Sequence, residues 1–362
     1  TGYVLDVFDY KGLTADNMVF YKDAQDATAH LNEIAIEAES LPGSCQMPLW
    51  DAMHAPFTRS MAYLKGAEVI IITAAAAPLD VDLASIQSTM ELYDANAPII
   101  DFIHIESVCQ IEDWTLQLAP FYQFIQKTGG TMLRVEQDKI SDVLTSFLPT
   151  RYAAQQLTVQ DMDACQQSTM YIQVDSRMSE VYVMMGGSTV SISAIDPQGL
   201  SVACNTVYSS YEQKLCKIAN PYPGIYEITV SSNSTFCYPS VYGYGGAQVF
   251  VGFIQDNATG DNPLPYAVYG KVNYPVFHVL DRPTDIYSPP PVETLYMAEL
   301  MVSPSDKVYD MDLNRRADCS YEYIGMAFVC GQKDEKITII SSGFDDINQA
   351  FTRESVTWCK AG

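Results

Sequence analysis

The amino-acid sequence predicts a multidomain chain: an α/β domain with a doubly wound, mostly parallel sheet, followed by two β-sandwiches. Three observations carry this. Val69–Ile72 is an unbroken β-branched apolar run, which suits a strand covered on both faces. Strands and helices alternate around it through the first 150 residues. From about Leu157 the pattern changes to short alternating strands punctuated by Gly, Pro, Asn and Asp, with no long helical period.

Taken in order, Tyr3–Tyr10 reads as a strand and Met18–Tyr21 as a short one beside it. Asp23 caps a helix with Leu31, Ile34, Ala35 and Ala38 on one face. After the turn Leu41–Cys45 a second helix covers about Leu49–Leu64, bent at Pro56, and leads into the strand at Val69. Pro78–Asp80 opens a helix carrying Leu83, Ile86 and Met90, and the strand Ile99–Glu106 follows. Pro120 fits the first turn of another helix, Gly129-Gly130 ends it, and Thr131–Val135 is a strand. Asp138–Leu148 is a last amphipathic helix before Pro149.

The next strands are Met170–Val174, Glu180–Met184, Val190–Ala194, Lys214–Ile218, Ile225–Val230 and Gln248–Phe253, separated by turn sequences such as Asp196–Gly199 and Asn220–Gly224. A polar linker, Asp256–Pro263, precedes a second set at Tyr266–Val272, Val276–Leu280, Leu295–Val302, Ser320–Ile324 and Lys336–Ser341. The domains expected are 1–154, α/β; 155–258, a β-sandwich; and 259–362, a second β-sandwich, both of Ig-like type.

Composition narrows the function. With 44 acidic against 20 basic residues the formal charge is −24, which repels phosphate backbones and anionic lipid heads and favours cations or basic partners. No apolar run approaches the roughly 20 residues of a membrane helix. Nine cysteines without a CxxC argue for disulfides in an oxidising compartment, hence secretion. The sequons at Asn233 and Asn257 are candidate glycosylation sites that agree with it.

With this order laid out, the first 150 residues resemble the von Willebrand factor A-like domain of hemicentin-type extracellular proteins. Tyr3–Phe8 is similar to that family's second strand, Leu31–Ile34 to its next helix, Leu41–Met47 to its Cys-containing loop, and Val69–Thr73 to the strand at its metal edge. Val108-Cys109, Phe124–Gly130 and Arg134-Val135 follow in the family's order, and Ser179–Val181, Ile195–Gly199 and Asn220–Tyr226 resemble the repeat after it. Phe344-Asp345 through Phe351–Arg353, ending near Cys359, is a fainter likeness. The resemblance implies a Rossmann-like fold whose adhesion site holds a divalent cation through an Asp-x-Ser-x-Ser, a Thr and an Asp. Here Ala74 stands where the Asp is expected, the loop around Cys45 has no Thr, and the first strand with its motif is absent. We therefore expect no metal at this site and no cofactor. The central gap left by that strand would be filled by an upstream segment or fragment, and a ladder pairing Val4 with Ile70 would argue against this.

Cys45 and Cys109 lie in loops expected at the same end of the sheet and are a candidate disulfide. Cys204/Cys216 and Cys319/Cys330 are spaced like hairpin staples, Cys165 is a candidate partner of Cys237, and Cys359 is left over. Cys45 with His54 or His104 is a conceivable thiol–base pair, but disulfide formation is the better use of Cys45, and no enzymatic activity is expected. Asp256–Asn262 is oxygen-rich but lacks the spacing of a calcium loop. Tyr238, Tyr242 and Tyr244 form a candidate binding patch for glycans or proteins. The expected function is that of a secreted adhesion, matrix or assembly protein acting through protein–protein contacts, with other extracellular proteins or further copies of itself as partners. The alternative is a recognition protein that binds glycans or microbial surfaces through the Tyr-rich sandwich.

Overall fold

A computed structural model describes most of 131–361, with gaps chiefly at 148–153, 160–166, 256–262, 281–293 and 317–321, and shorter stretches before 131, principally 68–74, 83–96 and 98–106. The described residues are mainly β-strand and form two compact units, Thr1–Leu133 and Arg134–Gly362.

In the first unit β1 (Tyr3–Leu5) and β2 (Phe8–Asp9) divide the single strand expected at Tyr3–Tyr10. β2 pairs antiparallel with β3 (Gly12–Leu13), and β1 pairs antiparallel with β4 (Val19–Tyr21), placing Val4 opposite Phe20. Asp23 Oδ1 accepts the N–H groups of Gln25 and Asp26, the expected helix cap. β5 (Gln46–Met47) pairs in parallel with β7 (Ala77–Pro78). Between these lies β6 (Glu68–Thr73), which leads through α1 (Leu83–Asn96) to β8 (Ile99–Glu106) in parallel, and β9 (Met132–Glu136) completes a sheet in the order β6-β8-β9.

Trp50, Ile71, Ile100, Phe102, Phe124 and Met132 pack a core with Tyr93 of α1, whose ring meets Phe124 edge-on at 4.7 Å. Burial pushes the Tyr93 phenol well above its ordinary pKa. Gly130 passes so close to β8 that a Cβ there would lie 1.7 Å from the Ile100 carbonyl oxygen. The expectation that β6 is covered on both faces is corrected. Ile71 and Thr73 are buried, whereas Ile70 and Ile72 are 39% and 44% exposed, so β6 alternates between a covered and an open side. Among the described residues β6, α1 and β8 form one parallel strand–helix–strand unit, and the doubly wound α/β domain expected over 1–154 is not supported: the described residues are mostly β-strand.

The second unit opens with helical turns over 137–147 and contains two sandwiches. The first pairs β10 (Ala154–Val159), β12 (Glu180–Gly186), β15 (Asn205–Ser209), β16 (Gln213–Ala219) and β18 (Tyr238–Tyr244) in the order β10-β18-β12-β16-β15. Its other sheet is β11 (Ser168–Val174), β17 (Gly224–Ser231), β13 (Ser191–Ile195) and β14 (Ser201–Val202), in that order. Alternate residues of both sheets, among them Val181, Val183, Val241, Ile172, Ile228 and Val230, fill the space between them.

The second sandwich begins earlier than expected. β19 (Gln248–Ile254) does not join the first sandwich but pairs with β21 (Val272–Leu280), in a sheet that continues into β25 (Glu322–Ile324) and β24 (Asn314–Arg315), with β26 (Phe328–Val329) also on β21. The facing sheet runs β20 (Ala267–Val268), β28 (Ala350–Lys360), β27 (Lys336–Phe344), β22 (Thr294–Ser303) and β23 (Lys307–Asp312). Phe253, Phe277, Leu300, Ile337, Ile339 and Phe351 lie in its core. The chain changes sandwich at Gly245-Gly246, where Gly245 has φ +88° and takes the tight crossing that a side chain would obstruct.

Candidate interaction faces and the junction between the sandwiches

Asp175 follows the last inward residue of β11, and Arg353 occupies an inward position of β28; each is only 1% exposed. Burying either charge alone would be prohibitive, so the two meet across the sandwiches in an Nη2–Oδ2 ion pair. The remaining polar atoms are also used. Arg353 Nε donates to the Ala247 carbonyl at 2.8 Å and Nη1 to that of Thr352 at 2.9 Å, while the guanidinium lies 5.3 Å from the centre of the Phe351 ring. Asp175 accepts the N–H of Arg177 at 2.9 Å on Oδ1 and of Ala247 at 3.1 Å on Oδ2. Gly246 crosses directly above: a Cβ there would come within 2.2 Å of Asp175 Oδ2 and 2.8 Å of Arg353 Nη2.

Two further links fasten the same junction. Gln155 of β10 pairs with the Val249 backbone in both directions, at 2.6 and 2.7 Å. Asp345, just after β27, accepts the Ser176 N–H at 3.1 Å and the Ser176 hydroxyl on Oδ2, and the N–H groups of Ile347 and Gln349 on Oδ1. The junction therefore holds the two sandwiches in one orientation, through hydrogen bonds satisfied from both sides.

The tyrosine patch expected at Tyr238, Tyr242 and Tyr244 is not an open surface. Tyr242 is 3% exposed and Tyr244 is half-buried, and Tyr238 opens β18 with its side chain outside the described residues. The reason is a covered sheet face. Tyr242 and Tyr182 stand in one outward row of the first sandwich, and Tyr208 is on the same side; Tyr208 Oη accepts the Glu136 N–H, Gln213 accepts that of Arg134, and the helical turns lie against β15. In this covered row Lys217 donates to Glu180 at 3.0 Å beside the Tyr182 ring, and that bond holds the lysine pKa above its ordinary value. Tyr226 is a further structural tyrosine. Its ring is buried and its hydroxyl accepts the Tyr222 N–H at 2.8 Å, tying the Pro-rich turn to β17.

Cysteine pairing differs from expectation in one place. Cys204–Cys216 forms, linking the approach to β15 with β16. Cys330 pairs with Cys359 and not with Cys319, because β28 runs back antiparallel to β27 and its end lies against the turn 331–335, with the Cys359 N–H bonded to the Glu335 carbonyl at 2.9 Å. Cys359 is thus not left over. Cys45, Cys109, Cys165, Cys237, Cys319 and Asn257 lie outside the described residues. Asn233 is exposed in the turn after β17. His104 is buried on β8 and His54 lies 3.1 Å from the Ser88 hydroxyl. Ala74 ends β6 exposed with a methyl and no oxygen, so this strand end does not fit the donor set a hard divalent cation needs.

Open faces lie elsewhere. On the four-stranded sheet of the first sandwich, Tyr171 and Ile195 flank Glu227 in one outward row. On the second sandwich, Tyr296 bulges out of β22 and stacks on Phe344 with ring centres 5.2 Å apart, both exposed. Neither pair was singled out from sequence; their signal is an aromatic at an outward strand position. Among the described residues no helix is long and apolar enough to cross a membrane.

Over 99% of its length the chain is 24% identical to protein irg-7 of Caenorhabditis elegans, of which it spans 16%. A solved von Willebrand factor type A protein from Catenulispora acidiphila superposes with a TM-score of 0.29 and 9% identity, over 74% of this chain and 50% of that one. A DUF4785 family protein from Legionella pneumophila gives 0.32 and 10%, over 57% and 63%. Residues 259–362, which hold nearly all of the second sandwich, match the family described as the Irg-7-like, Ig-like domain.

Proposed function

We propose that this chain is part of a secreted extracellular protein that works by protein–protein contact, as an adhesion, matrix or assembly component. The observation that carries the reading is the junction. Two sandwiches locked by Asp175–Arg353, Gln155–Val249 and Ser176–Asp345 keep a fixed spacing between outward faces that carry large apolar side chains. A fixed spacing serves a scaffold, and exposed aromatic pairs serve contact. The two disulfides and the acidic surface suit an oxidising, ion-rich compartment. The α/β domain is read as a degenerate von Willebrand factor A-like module in which Ala74 has replaced a metal ligand, so adhesion runs through side-chain surfaces and not through a bridging cation.

The test is affinity capture from extracellular fluid with the full chain, alongside Tyr296→Ser/Phe344→Ser and Tyr171→Ser/Ile195→Ser. A partner recovered by the parent chain and lost from one pair, with thermal stability unchanged, is the expected result. Equal recovery by all three chains, or no protein partner at all, would dispose of the reading.

A further inference from the structure

We propose that the outer face of the sheet β23-β22-β27 is a docking face for a protein surface bearing lysine or arginine among apolar side chains. The proposal rests on the protein-contact reading above and supplies the chemistry of the partner.

Strand alternation makes the face. Ala298, Leu300 and Val302 of β22, Ile337 and Ile339 of β27 and Met311 of β23 point into the core, so the residues between them point out. On this outward side Glu299 stands directly opposite Asp310 of β23 and, on its other flank, Ile340 of β27. One row away Met297 faces Asp312, and at the outer edge of the sheet Val308 is 57% exposed against 39% for Met297.

Carboxylates directly opposite each other on one face of a sheet repel, and the fold gains nothing from placing them there. The side-chain carboxylates of Glu299, Asp310 and Asp312 make no hydrogen bond or ion pair with another described residue. A basic side chain arriving from outside would neutralise the pair, and Met297, Val308 and Ile340 would be covered in the same step. Other occupants fit less well. A second copy placed face to face would set these carboxylates against themselves in a chain of net charge −24. Nucleic acid and anionic lipid are repelled. Among the described residues no group of three or more His, Cys, Asp or Glu is arranged for a metal ion.

The test uses the full chain and a fluorescein-labelled peptide of alternating lysine and leucine, with an alternating glutamate–leucine peptide as control. Fluorescence anisotropy is followed at two salt concentrations. The lysine peptide is expected to bind, more weakly at high salt. Glu299→Gln/Asp310→Asn should reduce its affinity at least tenfold without lowering the melting temperature, because a repulsion has been removed. Asp142→Asn/Asp334→Asn, which neutralises two exposed carboxylates outside both open faces, should change it less than twofold. Equal loss in both double variants, binding of the glutamate peptide, or no effect of Glu299→Gln/Asp310→Asn would overturn the proposal. Should the lysine peptide fail while a captured protein is still lost on Tyr296→Ser/Phe344→Ser, this inference falls and the protein-contact reading stands.

Discussion

Replacing Arg353 by methionine keeps most of the side-chain volume and strands the Asp175 carboxylate in a site where it is 1% exposed. Removing one partner of a buried, hydrogen-bonded pair costs about 3–5 kcal/mol, because the other charge loses its compensation while remaining out of water. Arg353→Met also takes donors from the Ala247 and Thr352 carbonyls. Asp175→Asn leaves Arg353 as the uncompensated charge and should fall in the same range, since its one amide oxygen can keep only one of the Arg177 and Ala247 N–H bonds and its NH2 meets the other. The double variant carries no net charge at the junction, so its cost should be well below the sum, with a coupling energy of at least about 2 kcal/mol. Hydrogen exchange of the full chain reads this locally. Peptides covering 350–360 and 168–174 should lose about two powers of ten in protection in each single variant, at about 1.4 kcal/mol per tenfold. Additive costs, or single variants within about 1 kcal/mol of the parent, would show that the pair does not hold the junction.

Three other outcomes follow from the same geometry. Loop-closure entropy gives about 3.5 kcal/mol for Cys330–Cys359, with a sequence separation of 29, and about 3 kcal/mol for Cys204–Cys216, with 12, so urea midpoints should fall further for Cys330→Ala/Cys359→Ala than for Cys204→Ala/Cys216→Ala. Tyr226→Phe should cost about 1 kcal/mol for the lost Tyr222 contact; burial raises the Tyr226 phenol above 10.0, so the folded state holds its proton longer than the unfolded one and stability should decline as pH rises past 10.0, less steeply in the variant. Lys217, raised by Glu180, adds to that decline above 10.5, and denaturation midpoints across this range would show it. Gly246→Ala should disrupt the junction outright, since its methyl would meet Asp175 Oδ2, and loss of protection in the peptides named above would register it.

Strand periodicity and turn chemistry made the sandwiches legible, since Asn220–Gly224 and Asp196–Gly199 mark their turns without ambiguity. What periodicity could not place was sheet membership. Gln248–Phe253 reads as a strand, but nothing local says that Gly245-Gly246 hands it to the next sandwich. The junction stayed hidden for a related reason: Arg353 and Asp175 are 178 residues apart, and each reads as an ordinary surface charge until the fold buries it. The tyrosine patch failed because an outward strand position need not be an exposed one: Tyr242 and Tyr182 point away from the sandwich core and are still buried. Proximity in sequence pairs Cys330 with Cys319, whereas its partner in the fold is brought in by the antiparallel ladder of β27 and β28.

β28 also defines a load path. Tension drawn along it from its C-terminal end would be borne first by Cys359, bonded covalently to Cys330, and then in shear by its long ladder with β27 and the parallel step with β20. Arg353 lies farther along the same strand, so what remains of the pull passes through Asp175 into the neighbouring sandwich. The two sandwiches, tied in this way, would carry a pull together instead of extending at the seam between them.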